Sequence, residues 1–185
     1  MDNVVSAGST TTIVGRLALG VTLLAVGLGW TGLIDGVSAA DAVTLAHYVG
    51  GVALFVAGLF AFREGDAGTG TAFAALGALW FTWAVSPEVS ANAAGLFLLL
   101  FALVVLTLTL AGGDTLGQAM YGLFFVALLL LAIGQFADSG ALGKAGGWFA
   151  VASGAVAWYA ATAALAHWPT ALPRRAAGRG VTAAG

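Results

Sequence analysis

His47 and His167 are the two imidazoles of the sequence, and no cluster of Asp or Glu stands near either at metal-ligand spacing. With Cys 0, thiolate metal sites, disulfides and a Cys nucleophile are all excluded. Serines are few and the acidic residues fall between apolar runs, so no Ser-His-Asp set forms. No Gly-Lys-Ser/Thr occurs, so the glycines make no P-loop. Lys144 is the single lysine and lies between apolar runs, whereas a retinal Schiff base needs a lysine in mid-span. The expectation is a protein without catalytic residues, metal or cofactor, and not an enzyme.

The chemistry that remains is neutral hydrogen bonding in an apolar setting. Thr22, Thr31, Thr71, Thr82, Thr107, Thr109, Tyr121, Gln135 and Ser153 all fall inside apolar runs. A threonine can bond the carbonyl one turn back on its own helix. The Gln135 amide, after Leu128 to Gly134, cannot satisfy itself that way. It calls for an interhelical bond or for a place on a solute path. Arg16 and His47 are the ionisable groups within the runs. Both stand about one turn from a run's end, where a side chain can snorkel to the interface. There is no row of carboxylates for a proton relay.

Such residues need a scaffold, and the composition names its solvent. Of 185 residues, 61% are hydrophobic and 8% charged; the mean hydropathy is +1.01. Soluble domains carry about 25% charged residues. A net charge of -2 excludes a basic nucleic-acid binder, and the hydropathy excludes a disordered chain. A spanning helix needs about 20 mostly apolar residues. Six such runs stand out, at 13–34, 43–62, 70–86, 93–111, 117–136 and 145–167. Their continuous leucines (Leu96–Leu100, Leu128–Leu131) lack the alternation of a membrane β-barrel. The expected fold is therefore an all-α, multi-pass integral membrane protein of the cell membrane with six transmembrane helices. Its parts are an N-terminal tail over 1–12, a helical domain over 13–167 and a disordered cytoplasmic tail over 168–185.

Orientation follows from the basic residues, which favour the cytoplasmic side. With the N-terminus inside, Arg16, Arg63, Arg174, Arg175 and Arg179 lie on inner segments and Lys144 alone on an outer loop. Both termini are then cytoplasmic, and the outer loops carry Asp35, Asp41, Glu88 and Asp138. Val37-Ser38-Ala39 offers a signal-cleavage alternative, but the first run exceeds the 7–15 apolar residues of a signal core.

Gly 28 against Pro 3 points to close helix packing. Gly70, Ala74, Ala78 and Thr82 form one smooth face of the third run. Gly146, Ala150 and Gly154 do the same in the sixth, and Gly50, Gly51 and Gly58 in the second. With Gly77, these are the expected packing glycines. Trp30, Trp83, Trp148 and Trp168 lie near run ends, as interfacial indoles do. Trp80 and Trp158 lie deeper, where packing is the ordinary role, though a buried indole N–H should find a partner.

Several of these segments resemble a known family. Gly50-Gly51-Val52-Ala53, Ala57-Gly58-Leu59 and Arg63-Glu64-Gly65 resemble the second helix and following loop of the acetate/succinate transporters, the succinate–acetate permease family. Thr71-Ala72-Phe73, Gly77, Trp80 and Thr82 resemble its third helix. Leu131-Ala132-Ile133-Gly134 and Gly146-Gly147-Trp148 resemble the end of its fifth helix and the start of its sixth. The resemblance runs from about Gly15 to Ala164. It implies a homo-oligomer (a hexamer) in the bilayer. Each protomer would have its own path for acetate, succinate or a similar small carboxylate anion, alone or with a proton. It further implies an apolar gate at Leu19, Leu76 and Phe124. The first two stand where the family usually has aromatic residues, and Phe124 where it has an aliphatic one. Gln135, in place of the family's Asn, and Thr82 are the candidate polar contacts of the solute. The chain departs from the family at its entry motif, where Thr10-Thr11-Thr12-Ile13-Val14-Gly15 replaces Asn-Pro-Ala-Pro-Leu-Gly. In this reading the threonines cap the first helix. Leu54 and Ala61 replace a Gln and a Glu. The competing reading is a structural or stress-response six-helix protein without solute flux.

Overall fold

The computed structural model describes residues 9–86 and 89–168. All regular structure among the described residues is helical. It forms six rods: α1 (Thr10–Thr31), α2 (Ala39–Arg63), α3 (Ala67–Ala84), α4 (Ala91–Leu110), α5 (Thr115–Phe136) and α6 (Gly140–Leu165). Five of them, all but α3, are long and apolar enough to cross a membrane. α3 is shorter, at 18 residues, and is diluted by Gly, Ala and Thr. α2 is composite: Ala39–Ala46 and Leu54–Arg63 are α-helical, and the turn between them, His47–Ala53, is a π-helix.

Each rod begins on a Ser or Asp whose side chain accepts a backbone N–H three residues on. The caps are Ser9, Ser38, Asp66, Ser90, Asp114 and Ser139. Such a cap satisfies one of the orphan donors of a first turn and is worth about 1 kcal/mol. The caps pull the starts a few residues ahead of the hydropathy boundaries, because capping residues and first turns are polar. Thr10, Thr11 and Thr12 accordingly do not cap α1. Ser9 does, and the threonines form its first turn. At Asp66, the hydroxyl and backbone N–H of Thr69 hold the carboxyl below the usual carboxylate range. Its contribution is therefore complete above that range and is lost as pH falls through the lowered value. Gly32, in the left-handed region at φ 67°, stops α1 short of the expected residue 34.

Lateral packing follows the small residues. α6 lies against α1 on one side and α5 on the other; α5 carries α4; α2 and α3 form a hairpin beside α1. Between α1 and α6 the glycines pair reciprocally. A Cβ on Gly20 would meet the Gly154 carbonyl at 3.1 Å, and one on Gly154 the Gly20 carbonyl at 2.9 Å. Gly27 and Gly147 repeat the exchange at 2.8 and 2.9 Å. Gly146 turns instead to α5, against Leu131 and the Ala127 carbonyl. In the hairpin, Gly58 sits on the backbone of Gly70 and Ala74, Gly70 under the Phe62 ring, and Gly77 on the backbone of Phe55. Gly50 and Gly51, in the π turn, take up Thr22 with Trp80, and the Phe81 backbone.

Lipid offers no hydrophobic drive between helices, so close backbone approach and dispersion must hold this bundle. Replacing Gly154 by Leu forces a side chain against Leu24 N at 2.8 Å and the Gly20 carbonyl. We expect a loss of about 1–3 kcal/mol or more, read as a lowered thermal-unfolding midpoint in detergent. Gly68→Ala, whose Cβ meets nothing closer than Asp66 Oδ1 at 3.6 Å, should leave the midpoint unchanged or raise it.

Candidate functional site

Short connections make neighbouring rods antiparallel, so α1, α3 and α5 start from the same end of the bundle, its base. Leu19, Leu76 and Phe124 each stand nine residues beyond the first residue of their helix (Thr10, Ala67, Thr115). At 1.5 Å per residue the three share one level, about 13 Å above the base. Their relative exposures are 0, 0 and 1%, and all belong to one cluster of buried apolar side chains.

One turn above Leu76 on α3 stands Trp80, its ring 6.0 Å from that of Phe124 and inclined to it by 7°. Both rings line a small chamber of about 20 Å³, walled also by Val26, Leu98, Leu128 and Leu131. Trp80 is 5% exposed, and its Nε1–H finds no acceptor among the described residues. Leaving a buried donor unpaired costs about 1–3 kcal/mol. Trp30 and Trp83 line the chamber and also the cleft above it. The cleft, about 320 Å³, opens at the top of the bundle between the ends of α1, α3 and α5 and the starts of α2 and α4; Gln135, Thr44 and Ser86 are its polar lining. α3 and α4 barely touch elsewhere; the Trp83 and Phe97 rings, 5.7 Å apart, bridge them.

At the base, Arg16 Nη2 donates to Asp114 Oδ1 at 2.6 Å, and Asp114 also caps α5. The Thr11 hydroxyl donates to the Glu64 carboxylate. These two links tie the start of α1 to the start of α5 and to the end of α2. Arg16 is thus paired, not simply extended to the interface.

The other sequence-derived residues fall into three groups. Thr22, Thr31, Thr107 and Thr109 donate to carbonyls of their own helices. Ser153 reaches from α6 to the Met120 carbonyl of α5 at 2.7 Å. Gln135 is half-buried in the cleft wall and makes no interhelical bond to a described residue, contrary to the simpler expectation. Thr82 is exposed; it lines one groove with Ala78 and Phe81, and another that shares Trp83, Ser86, Val89 and Ala94 with the cleft that holds Gln135. The reason for its exposure is helical phase: Trp80 takes the inward direction, and two residues on a helix points nearly the opposite way. Trp158, expected to lie deep, is 49% exposed on the outer surface. His47 packs its ring on Phe81 at 4.8 Å and on Tyr48 at 5.0 Å. The N–H of a deep Trp is expected to find a partner, and at Trp80 none is found among the described residues. The sequence signal for Trp80 was an indole in mid-span next to the expected gate. Residues 1–8, Pro87, Glu88 and 169–185, with Arg174, Arg175 and Arg179, lie outside the described residues.

Comparison with known proteins bears on this arrangement. The model of the GPR1/FUN34/yaaH family matches residues 9–171. A relative from Saccharomyces cerevisiae, ammonia transport outward protein 3, is 29% identical over 140 residues, covering 64% of this chain and 48% of its own. The chain thus spans about half the length of that curated relative. A solved structure, that of the bacterial acetate channel SatP, superposes with a TM-score of 0.78 at 24% identity, covering 86% of this chain and 93% of that one. Fold and apolar helices together make this a multi-pass membrane protein.

The cleft and the buried level predict opposite solvent access. With Cys 0 in the chain, single cysteines report cleanly. A charged thiol reagent should modify Thr44→Cys in the cleft within minutes and leave Leu76→Cys unmodified at least tenfold longer, a burial effect on thiolate access. Equal labelling rates would show the interior to be flooded.

Proposed function

The chain belongs to the GPR1/FUN34/yaaH family, and from that premise we propose that it conducts acetate, or a similarly small monocarboxylate, through each protomer. The observation that carries this reading is the buried apolar level of Leu19, Leu76 and Phe124 beneath a polar-lined cleft. An apolar constriction stops hydrated ions by dewetting. A short carboxylic acid offers a methyl group to such a ring and a carboxyl group to donors above and below it. The likeness to the acetate channel supports the same fold for the path. The residues suit a pore better than catalysis, since the neutral side chains around it offer neither nucleophile nor base.

In this reading all six rods span the bilayer, α3 included, because a shorter, small-residue helix can cross when flanked by neighbours. Both termini are cytoplasmic and the cleft is the outer mouth. Gln135 is a donor at that mouth, and Thr82, on a groove that adjoins it, is the second candidate contact of the solute. The apolar outer faces, such as Phe55, Val56, Leu59 and Phe60 of α2, suit a homo-oligomer embedded in lipid, a hexamer by family resemblance. The anion passes alone or with a proton, carried by the acid itself in the absence of a carboxylate relay.

Vesicles containing the purified protein should accumulate labelled acetate faster than protein-free vesicles. Leu76→Phe, which fills the constriction, should slow uptake about tenfold, equivalent to about 1.4 kcal/mol of barrier, and Leu76→Ala should speed it. Uptake equal to that of empty vesicles would leave the bundle a structural protein. Faster uptake of ammonium than of acetate would align it with the activity named for the yeast relative.

A further inference from the structure

We propose that the Trp80 indole N–H is the donor that receives the carboxylate oxygen of the solute just above the constriction. The proposal rests on the solute path described above and names the residue that reads the solute within it.

Three observations carry it. First, Trp80 is 5% exposed and its Nε1 is the buried side-chain polar atom left without a partner among the described residues. The neighbouring Thr22 hydroxyl donates to the Ala18 carbonyl at 2.7 Å, and its oxygen does not accept from Nε1. Packing alone does not account for the N–H, since a phenyl ring, though smaller, would pack here without stranding a donor. Second, Trp80 lines the chamber between the cleft and the level of Leu76 and Phe124, so any solute moving between them passes its ring. Third, at about 20 Å³ the chamber has room for one water. A buried water needs two to four polar partners, and the only polar side-chain groups of the wall are the indoles of Trp30, Trp80 and Trp83, which donate and do not accept. The donor therefore awaits an acceptor that brings its own apolar surface.

A short monocarboxylate meets that description. One oxygen accepts from Nε1, and the alkyl group contacts Val26, Leu128 and the Phe124 face. An indole N–H only donates, so it pairs with carboxylate or carbonyl oxygen and not with ammonium. A charge-assisted bond is stronger than a neutral one, so the anion gains more from it than the neutral acid does. Gly50 shapes the seat: a Cβ there would stand 3.0 Å from Trp80 Cγ and 2.5 Å from Thr22 Cγ2. The chamber is too small for a four-atom acid as it stands, so entry requires the Trp30 or Trp83 ring above it to swing aside.

The test uses the full chain in lipid nanodiscs and vesicles. In ¹⁵N-tryptophan-labelled protein, the Trp80 indole cross-peak is assigned by its loss in Trp80→Phe or, should that variant not fold, in Trp80→Tyr. Sodium acetate should move this peak downfield in a saturable way, and ammonium chloride of equal ionic strength should not. In vesicles, Trp80→Phe should lower sub-saturating acetate uptake roughly tenfold to a hundredfold through KM, as loss of one hydrogen bond to a charged group does, with an unfolding midpoint no lower than that of the native chain. A cross-peak indifferent to acetate, or unchanged KM in Trp80→Phe, overturns the proposal while leaving acetate conduction standing. Native vesicles without acetate uptake overturn the conduction reading instead, and the cross-peak then still decides whether Trp80 binds carboxylate.

Discussion

The reciprocal glycine contacts between α1 and α6 are the constraint on which the rest of the structure depends. In water, two helices are driven together by the apolar area they bury. In lipid that drive vanishes, and the gain must come from atoms brought into van der Waals range. Gly20 against Gly154 and Gly27 against Gly147 let the two backbones approach until only hydrogens fit between them. A seven-residue step on each helix brings both contacts onto one seam. With that seam fixed, the opposite flank of α6 presents Gly146 to α5, and Ser153 locks the pair through the Met120 carbonyl. The α1–α6–α5–α4 row is thus continuous.

The α2–α3 hairpin is built on the same device, through Gly58, Gly70 and Gly77, but joins the row only at α1 and through aromatic contacts to α4 and α5. The buried apolar level and the chamber above it lie along this junction. Leu19 and Phe124 come from the continuous row, and Leu76 and Trp80 from the hairpin. The π turn of α2 falls where the hairpin meets α1 and α3. There Gly50 and Gly51 admit Thr22, Trp80 and the Phe81 backbone. A π turn widens a helix by one residue per turn, and its two glycines remove the side chains that such widening would drive into neighbours. Few packed contacts between α3 and α4 leave that seam the least constrained part of the wall, and it is there that the cleft opens.

Hydropathy made the helices legible because lipid demands long apolar runs, and it succeeds even for α3, which composition alone ranks below its neighbours. It could not place their starts. Capping serines and aspartates such as Ser9, Ser90 and Ser139 are polar, and reading them requires the N3 position, not the average. The small-residue stripes were visible, but not their partners: Gly20 and Gly154 lie at opposite ends of the chain, and nothing local relates them. One face of α6 read as Gly146, Ala150 and Gly154 is in fact two, since Gly146 and Gly147 point to different helices. The π turn alters the register by one residue in a short window, below what periodicity resolves. Polar satisfaction was half legible. Threonines that bond their own helix follow from local geometry, whereas the unpaired Trp80 donor and the unbonded Gln135 depend on what the rest of the bundle fails to bring near them.

Under the proposed function, that last distinction bears on how a divergent sequence can keep one kind of path. The chain carries Leu19 and Leu76 where the resemblance places aromatic residues, and Phe124 where it places an aliphatic one. Exclusion of hydrated ions depends on the apolar character and the width of the ring, so volume can migrate from one helix to another without altering the principle. Moving the phenyl group to α5 has a structural consequence: Phe124 lies parallel to Trp80, with centroids 6.0 Å apart. The two rings stack, and both give an apolar face to the wall of the chamber above the level of Leu76. Along that face dispersion varies little, so position is marked only by a directional contact. The Trp80 indole N–H is such a feature, and its bond to an acceptor is made and broken without moving a charge of the protein. A fixed cation in its place would hold a carboxylate too long for release, and an apolar wall alone would not distinguish a carboxylate from any other solute of its size.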